Sequence, residues 1–320
     1  MTTYILTAII AAAVAYILTP FVRRLAESQG VVAHPGGRRV HSRPTPLMGG
    51  LAMYGGFMVA VLAALLISSH VKLSPQAIGI LVCGTLVAVV GIVDDKYELP
   101  GWVQAGSILV ISFILCRFYD VRILEITSPV RIVFGLWGSI FVTMLWILMV
   151  TKAVDCMDGL DGLAAGISAI AAGTLMVMAA QFHGREMSAV MAAALMGAAI
   201  GFLRFNYPPA KVFMGTIGAQ FLGFTLAGTS VLGTMKITAL LAVAVPVLVL
   251  AVPLFDTTFV VLRRAISGRK ISEADTTHLH HRLVKRGLSH RQVIWCIYAL
   301  TIACCTVAYI LFRQLGQAVR

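Results

Sequence analysis

Charge is what this sequence has least of. Of its 320 residues only 12% are Asp, Glu, Lys or Arg, and just 13 are acidic. The longest polar stretches, Arg23–Pro46 and Arg263–Arg291, are too short to fold as a soluble domain. Cysteine is also scarce. Of the six, Cys83, Cys116, Cys296, Cys304 and Cys305 lie in apolar runs, where the residue serves as a small hydrophobe, so no disulfide framework is expected. No basic residue precedes the first apolar run; Arg23 and Arg24 follow it, the reverse of a cleavable leader. That run reads as a retained helix with its N-terminus outside.

What fills the sequence instead is apolar. With 59% hydrophobic residues and a mean hydropathy of +0.92, the fold class is all-α, a polytopic integral membrane protein. Apolar runs near 3–22, 47–69, 76–93, 102–118, 136–152, 160–180, 187–203, 219–233, 236–262 and 293–312 predict about ten transmembrane helices in one domain over 1–320. Segment 120–134 alternates weakly and suggests a short hairpin. The run over 236–262 carries Pro246, Pro253 and an intramembrane Asp256, which suggests a tilted or broken helix.

The basic excess, 25 Lys+Arg and a formal charge of +12, is topology information before anything else. No nucleic-acid partner is expected; a bilayer is, and a basic face could meet anionic lipid headgroups or a phosphorylated substrate. Alternate loops hold 17 of the 25 basic residues, which places those loops in the cytoplasm, although Arg117, Arg122 and Arg131 on the other side argue mildly against it.

Every cluster of chemically capable residues falls on those same loops. Asp155, Asp158 and Asp161 recur every third residue between two apolar runs. On a helix, carboxylates at that spacing repel by roughly 3 kcal/mol at an effective dielectric near 20, and so call for a cation or a ligand. The bland alternative is a helix start, with Asp158 as N-cap and Asp161 in the first turn. Asp94 and Asp95 stand at the mouth of a span, either as functional acids or as a solvated helix end. Val40-His-Ser-Arg-Pro-Thr-Pro-Leu-Met-Gly-Gly50 reads as a shaped loop. The turn from Gly215 to Gly218 could offer N–H groups to an anion, or could be only a tight turn. The last loop carries His278, His280, His281 and Arg282.

Carboxylates with Lys, Arg and His on one side suit Mg²⁺-assisted handling of phosphates, with Mn²⁺ as a substitute ion. The histidines lack the spacing of a zinc site. A transporter would place its ionisable groups near mid-membrane, and only Asp256 resembles that.

Five segments, in this order, resemble the polyprenyl-phosphate N-acetylhexosamine-1-phosphate transferases: His41-Ser-Arg-Pro-Thr-Pro-Leu-Met-Gly-Gly50, Asp94-Asp-Lys-Tyr-Glu-Leu-Pro100, Asp158-Gly-Leu-Asp-Gly-Leu-Ala164, Pro253-Leu-Phe-Asp-Thr257 and His278-Leu-His-His-Arg282. The resemblance covers nearly the whole chain and leans toward the branch using UDP-N-acetylglucosamine. It implies transfer of the sugar 1-phosphate to undecaprenyl phosphate at the cytoplasmic face, with UMP leaving, as the first step of teichoic acid or another surface polysaccharide. It implies that Asp94 and Asp95 act on the lipid phosphate and its proton, with Lys96 assisting. Asp158, Asp161, Lys152, His278, His280, His281 and Arg282 would hold the UDP-N-acetylhexosamine.

The chain departs from the family pattern at three positions. It has Lys152 and Asp155 where the pattern has asparagines, and Thr216 where the pattern has an aspartate. The metal positions implied by the resemblance are therefore Asp155 and Thr216. A different UDP-sugar, a relative that binds lipid phosphate without turnover, and a homodimer stay open.

The topology is testable by thiol labelling in intact cells. Cysteines introduced at Ser42, Ser267 or Thr277 should be shielded from an impermeant reagent, and one at Thr127 should react. Strong labelling at Ser267 from outside would overturn the topology.

Overall fold

The computed structural model describes residues 1–33, 44–126, 132–234, 247–266 and 278–317. Eleven helices carry the described fold: α1 (Thr2–Ser28), α2 (Gly50–Ile67), α3 (Pro75–Tyr97), α4 (Gly101–Phe118), α5 (Leu136–Met157), α6 (Leu163–Ala179), α7 (Glu186–Asn206), α8 (Gly215–Thr234), α9 (Ala251–Ile266), α10 (Leu279–Lys285) and α11 (His290–Gln317). Two strand pairs of two residues each accompany them. One, Glu125–Ile126 against Ile132–Val133, is the hairpin expected from 120–134. The other joins Val32–Ala33 to Thr45–Pro46.

The all-α expectation holds, but the count of ten spans is not reproduced. Among the described residues, α1, α2, α3, α4, α5, α7 and α11 are the seven helices long and apolar enough to cross a membrane. α6 is apolar but has only 17 residues. Much of the ninth expected span, and the arginines of the 34–43 and 267–277 loops, lie outside the described residues.

Local chemistry explains the element ends that matter. Ser74 caps α3, its hydroxyl accepting the Ala77 N–H at 3.2 Å, and Pro75 occupies the first helical position. α3 stops at Glu98, which is left-handed at φ 51°, and α4 begins at Gly101 behind Pro100. So short a link makes α3 and α4 antiparallel neighbours.

α8 is the axis of the bundle. It packs against α2, α3, α5, α6 and α7, and every residue from Ile217 to Val231 is buried. Around it, α1 packs on α2 and α7, and α11 on α6. Lipid gives no hydrophobic incentive for helices to associate, so close backbone approach has to supply it. Gly197-Ala-Ala-Ile-Gly201 does this on α7: a Cβ at Gly197 would stand 2.0 Å from the Ala8 carbonyl oxygen, and one at Gly201 2.2 Å from that of Ala12.

Gly197→Ala should therefore destabilise the bundle by about 1–3 kcal/mol, the usual cost of overpacking. Gly106→Ala on α4, where an added Cβ meets nothing within 4 Å, is the control and should stay within about 0.5 kcal/mol. Equal thermal midpoints for the two variants in detergent would show that the α1–α7 approach is not tight.

Candidate active site

The ends of α3, α5, α7 and α8 surround one cleft of about 1350 Å³. Its wall carries six carboxylates, Asp94, Asp95, Glu98, Asp155, Asp158 and Asp161, against Lys211, Arg291, His281 and His290. Thr45, Leu47 and Thr216 also line it.

The Asp94-Asp95 pair is not a solvated helix end. Asp94 is 6% exposed, and its Oδ1 accepts the Leu99 N–H at 2.9 Å and Gln104 Nε2 at 2.8 Å, which ties off the α3–α4 link. Asp95 reaches across to α8. Its Oδ1 accepts the Thr216 N–H at 2.6 Å and its Oδ2 the Ile217 N–H at 3.4 Å. The anion held by the Gly215–Gly218 turn is thus a side chain of the protein itself. Gly215 is required there: its φ is +68°, and a Cβ would lie 2.2 Å from Asp95 Oδ2.

The three-Asp stretch also differs from its simplest expectation. α5 runs through Met157, so Asp155 lies in its last turn, and Asp158 follows as the C-cap. Gly162, not Asp158, is the N-cap of α6. The intervening turn is held from outside. Asp161 Oδ2 accepts the Ala210 N–H at 2.9 Å, Asn206 Oδ1 accepts the Gly162 N–H at 2.9 Å, and the Tyr298 hydroxyl donates to the Gly162 carbonyl at 2.6 Å. Helical spacing therefore does not explain the cluster; a turn packed against the α7–α8 loop does.

Lys152 stands behind the wall, its Nζ 2.8 Å from Asp155 Oδ2 and also donating to Gln104 Oε1. Asp158 is different. Among the described residues its carboxylate has no hydrogen-bond partner, although the protein surrounds it and leaves only the cleft side open to water. Burial, and then the charges of Asp155, Asp95 and Asp161, hold its pKa well above the ordinary carboxylate range.

The Pro-Thr-Pro segment is a shaped loop from Pro44 onward. Pro46 accepts the Phe213 N–H at 2.9 Å, and Gly49 and Gly50 donate to Phe213 and Met214. Residues His41, Ser42 and Arg43 lie outside the described set. Among the C-terminal residues, His281 lines the cleft. His278 instead places Nδ1 2.9 Å from Asp256 Oδ2, and Asp256 Oδ1 accepts the Leu279 N–H at the start of α10. Asp256 thus docks the last loop. Arg282 lies over the Phe259 ring at 5.4 Å, and Lys96 over Tyr97 at 5.4 Å; neither lines the cleft. His280 falls in α10, with its side chain outside the described set.

Sequence reasoning missed Gln104, Asn206, Lys211, Arg291 and Tyr298. Gln104 and Asn206 carried one weak signal, a lone amide near an end of an apolar helix.

The donor set fits a divalent ion that arrives with phosphate. Among the described residues no three His, Cys, Asp or Glu side chains close into a protein-only cage. Mg²⁺ needs only one or two carboxylates when phosphate oxygens complete its shell, and Asp158, unpartnered beside Asp155, offers that.

Helices crossing a bilayer, with an acid-walled cleft where their ends meet, define an integral-membrane enzyme. Residues 77–234 match the family described as glycosyl transferase family 4. A Bacillus subtilis (strain 168) protein named "probable undecaprenyl-phosphate N-acetylglucosaminyl 1-phosphate transferase" is 39% identical over 290 residues, covering 89% of this chain and 78% of the relative. The decaprenyl-phosphate N-acetylglucosaminephosphotransferase of Mycolicibacterium smegmatis is 35% identical over 320 residues, covering 92% and 78%. The undecaprenyl-phosphate alpha-N-acetylglucosaminyl 1-phosphate transferase of Escherichia coli K12 is 25% identical over 282 residues, covering 85% and 74%. The chain belongs to this family of polyprenyl-phosphate N-acetylhexosamine-1-phosphate transferases.

The raised Asp158 has a signed consequence in divalent-free detergent. Its folded pKa lies above the unfolded value of about 4, so the folded state holds the proton longer. Stability should then fall as pH rises from that value toward the folded pKa. Asp158→Asn should be more stable than wild type at about pH 8, by a margin that shrinks toward about pH 5. A margin independent of pH, read from thermal midpoints, would refute the assignment.

Proposed function

We propose that this protein transfers N-acetylglucosamine 1-phosphate from UDP-N-acetylglucosamine to undecaprenyl phosphate, at the cytoplasmic face of the membrane. The observation that carries the reading is the single cleft, in which most of the acids of the family's motifs meet at the ends of apolar helices. An oxygen of the lipid phosphate attacks the sugar-bearing phosphorus of the nucleotide sugar. The bond to the UMP oxygen breaks, leaving a lipid pyrophosphoryl sugar and UMP. The sidedness rests on the distribution of basic residues.

Asp94 and Asp95 form one wall and would face the acceptor and its proton. Asp158 and Asp161 form the other, on the turn held by Asn206, Ala210 and Tyr298, and would orient the donor. Lys211, Arg291 and His281 are the cations of the cleft and suit the donor's phosphates. Asp155 and Asp158 would hold Mg²⁺, while the Thr216 hydroxyl lines the same cleft but bonds Asp95. When bound, the ion would offset charge on the transferring phosphoryl group. Lys152 competes for Asp155, so the load on Asp158 is greater than an unpaired Asp155 would leave.

The direct experiment uses purified protein, undecaprenyl phosphate, Mg²⁺ and radiolabelled UDP-N-acetylglucosamine, with UDP-N-acetylgalactosamine in parallel. Label should pass to the lipid phase from the first donor. Transfer from the second alone would change the donor, and no transfer from any UDP-sugar would sink the enzymatic reading. Asp94→Asn or Asp95→Asn should each lower turnover by about 10²-fold or more. Asp95→Asn keeps an oxygen for the Thr216 N–H, so folded protein should still be recovered. Near-normal turnover in both variants would leave the pair with a structural role only.

A further inference from the structure

A second, smaller pocket of about 560 Å³ adjoins the acid cleft and shares Pro208, Pro209, Lys211 and Arg291 with it. Ile200, Leu203 and Arg204 of α7 line it, together with Tyr207, Lys211 and Arg291. None of these residues is an acid. Arg204, Lys211 and Arg291 are exposed, and among the described residues none of the three is paired with a carboxylate. Arg291 is held in place, its Nη2 donating to the Pro208 carbonyl at 3.1 Å and its guanidinium 5.9 Å from the Tyr207 ring.

The surroundings fix the depth of this pocket in the bilayer. Ile200 is 49% exposed on a membrane-spanning helix, so it faces lipid. Trp295, 61% exposed, donates its indole N–H to the Tyr207 hydroxyl at 3.1 Å, and Tyr16 packs on Phe205 with ring centroids 5.1 Å apart. Trp295 near the start of α11 and Tyr207 at the end of α7 stand where an interfacial aromatic belt is found. Arg204, flanked by the Lys211 and Arg291 that the pocket shares with the cleft, stands above an apolar wall, and this combination matches a phosphate that carries hydrocarbon chains.

We infer that the pocket between the end of α7 and the start of α11 binds the phosphate headgroup of an anionic membrane lipid, at the rim of the catalytic cleft. A soluble anion would gain nothing from Ile200 and Leu203. The six carboxylates of the adjoining cleft disfavour an uncompensated phosphate among them, which leaves the acid-free pocket as the better seat. The same chemistry fits a bulk phospholipid or an acceptor lipid waiting at the rim.

Arg204, Tyr207, Ile200 and Leu203 are not part of the catalytic cleft, so occupancy can be read without turnover. The protein is placed in nanodiscs of equal phosphatidylglycerol and phosphatidylcholine, and retained lipid is counted by native mass spectrometry. Phosphatidylglycerol should be retained in preference. Arg204→Gln should weaken retention about fivefold, the usual effect of one interfacial cation. Arg204→Lys should preserve retention, and so should Arg117→Gln at the opposite end of α4. Displacement by added polyprenyl phosphate would identify the acceptor as the occupant, and its failure would identify the bulk phospholipid. Equal retention of the two phospholipids, no effect of Arg204→Gln, or displacement by soluble UMP would overturn the inference.

Discussion

The Asp95 carboxylate sits against the first free amides of α8, and the placement of that helix sets the rest of the site. α8 is surrounded by helices, so the unsatisfied N–H groups of its first turn have little water to turn to. A carboxylate there satisfies them and complements the positive end of the helix dipole. Hydrogen bonds to a charged acceptor are worth about 1.5–3 kcal/mol each, and more is lost if the amides are left bare. The contact needs Gly215, because any side chain would occupy the space of the carboxylate. α3 and α8 are thereby locked end to end, and Asp94, one residue earlier, faces the same cleft.

A chain so poor in acid places nearly half of its acids in one cavity, six of 13. Some are neutralised internally. Gln104 links two of them, receiving Lys152 at Oε1 and donating from Nε2 to Asp94, while Lys152 pairs with Asp155. This chain of contacts runs from α3 through α4 to α5 and braces the two acidic walls against each other. Asp158 stands outside it. A carboxylate that the protein surrounds but does not satisfy is unfavourable, and a cation arriving with a phosphate substrate would relieve that cost.

Much of this was legible in the sequence. Hydropathy marked most of the apolar helices, because a bilayer imposes a length that sequence shows directly. It could not separate α6, with 17 residues, from a full span, since burial within a bundle and burial in lipid select the same residues. The acids were legible because their cost near a membrane makes each one conspicuous. Their partners were not. Nothing local says that Asp95 caps a helix more than a hundred residues away, that Asp161 accepts the Ala210 amide, or that His278 belongs to Asp256. Those pairings are tertiary, and only the packing of α3, α7, α8 and α9 brings them within hydrogen-bond reach.

The three departures from the family pattern can now be read together. At position 216 the pattern's aspartate would bring a second carboxylate against Asp95, because the Thr216 amide and hydroxyl already bond that residue. Two carboxylates at that separation need a cation between them. With Thr216 the corner holds a single carboxylate, tied by hydrogen bonds, so it no longer demands metal. Across the cleft, Asp155 adds the negative charge that position 216 lacks, and Lys152 offsets it at 2.8 Å. With Lys152 cancelling Asp155, the substitutions leave the net charge at the end of α5 unchanged and remove one negative charge from the α8 corner. The unpartnered Asp158 is then the stronger draw for a bound cation than the α8 turn.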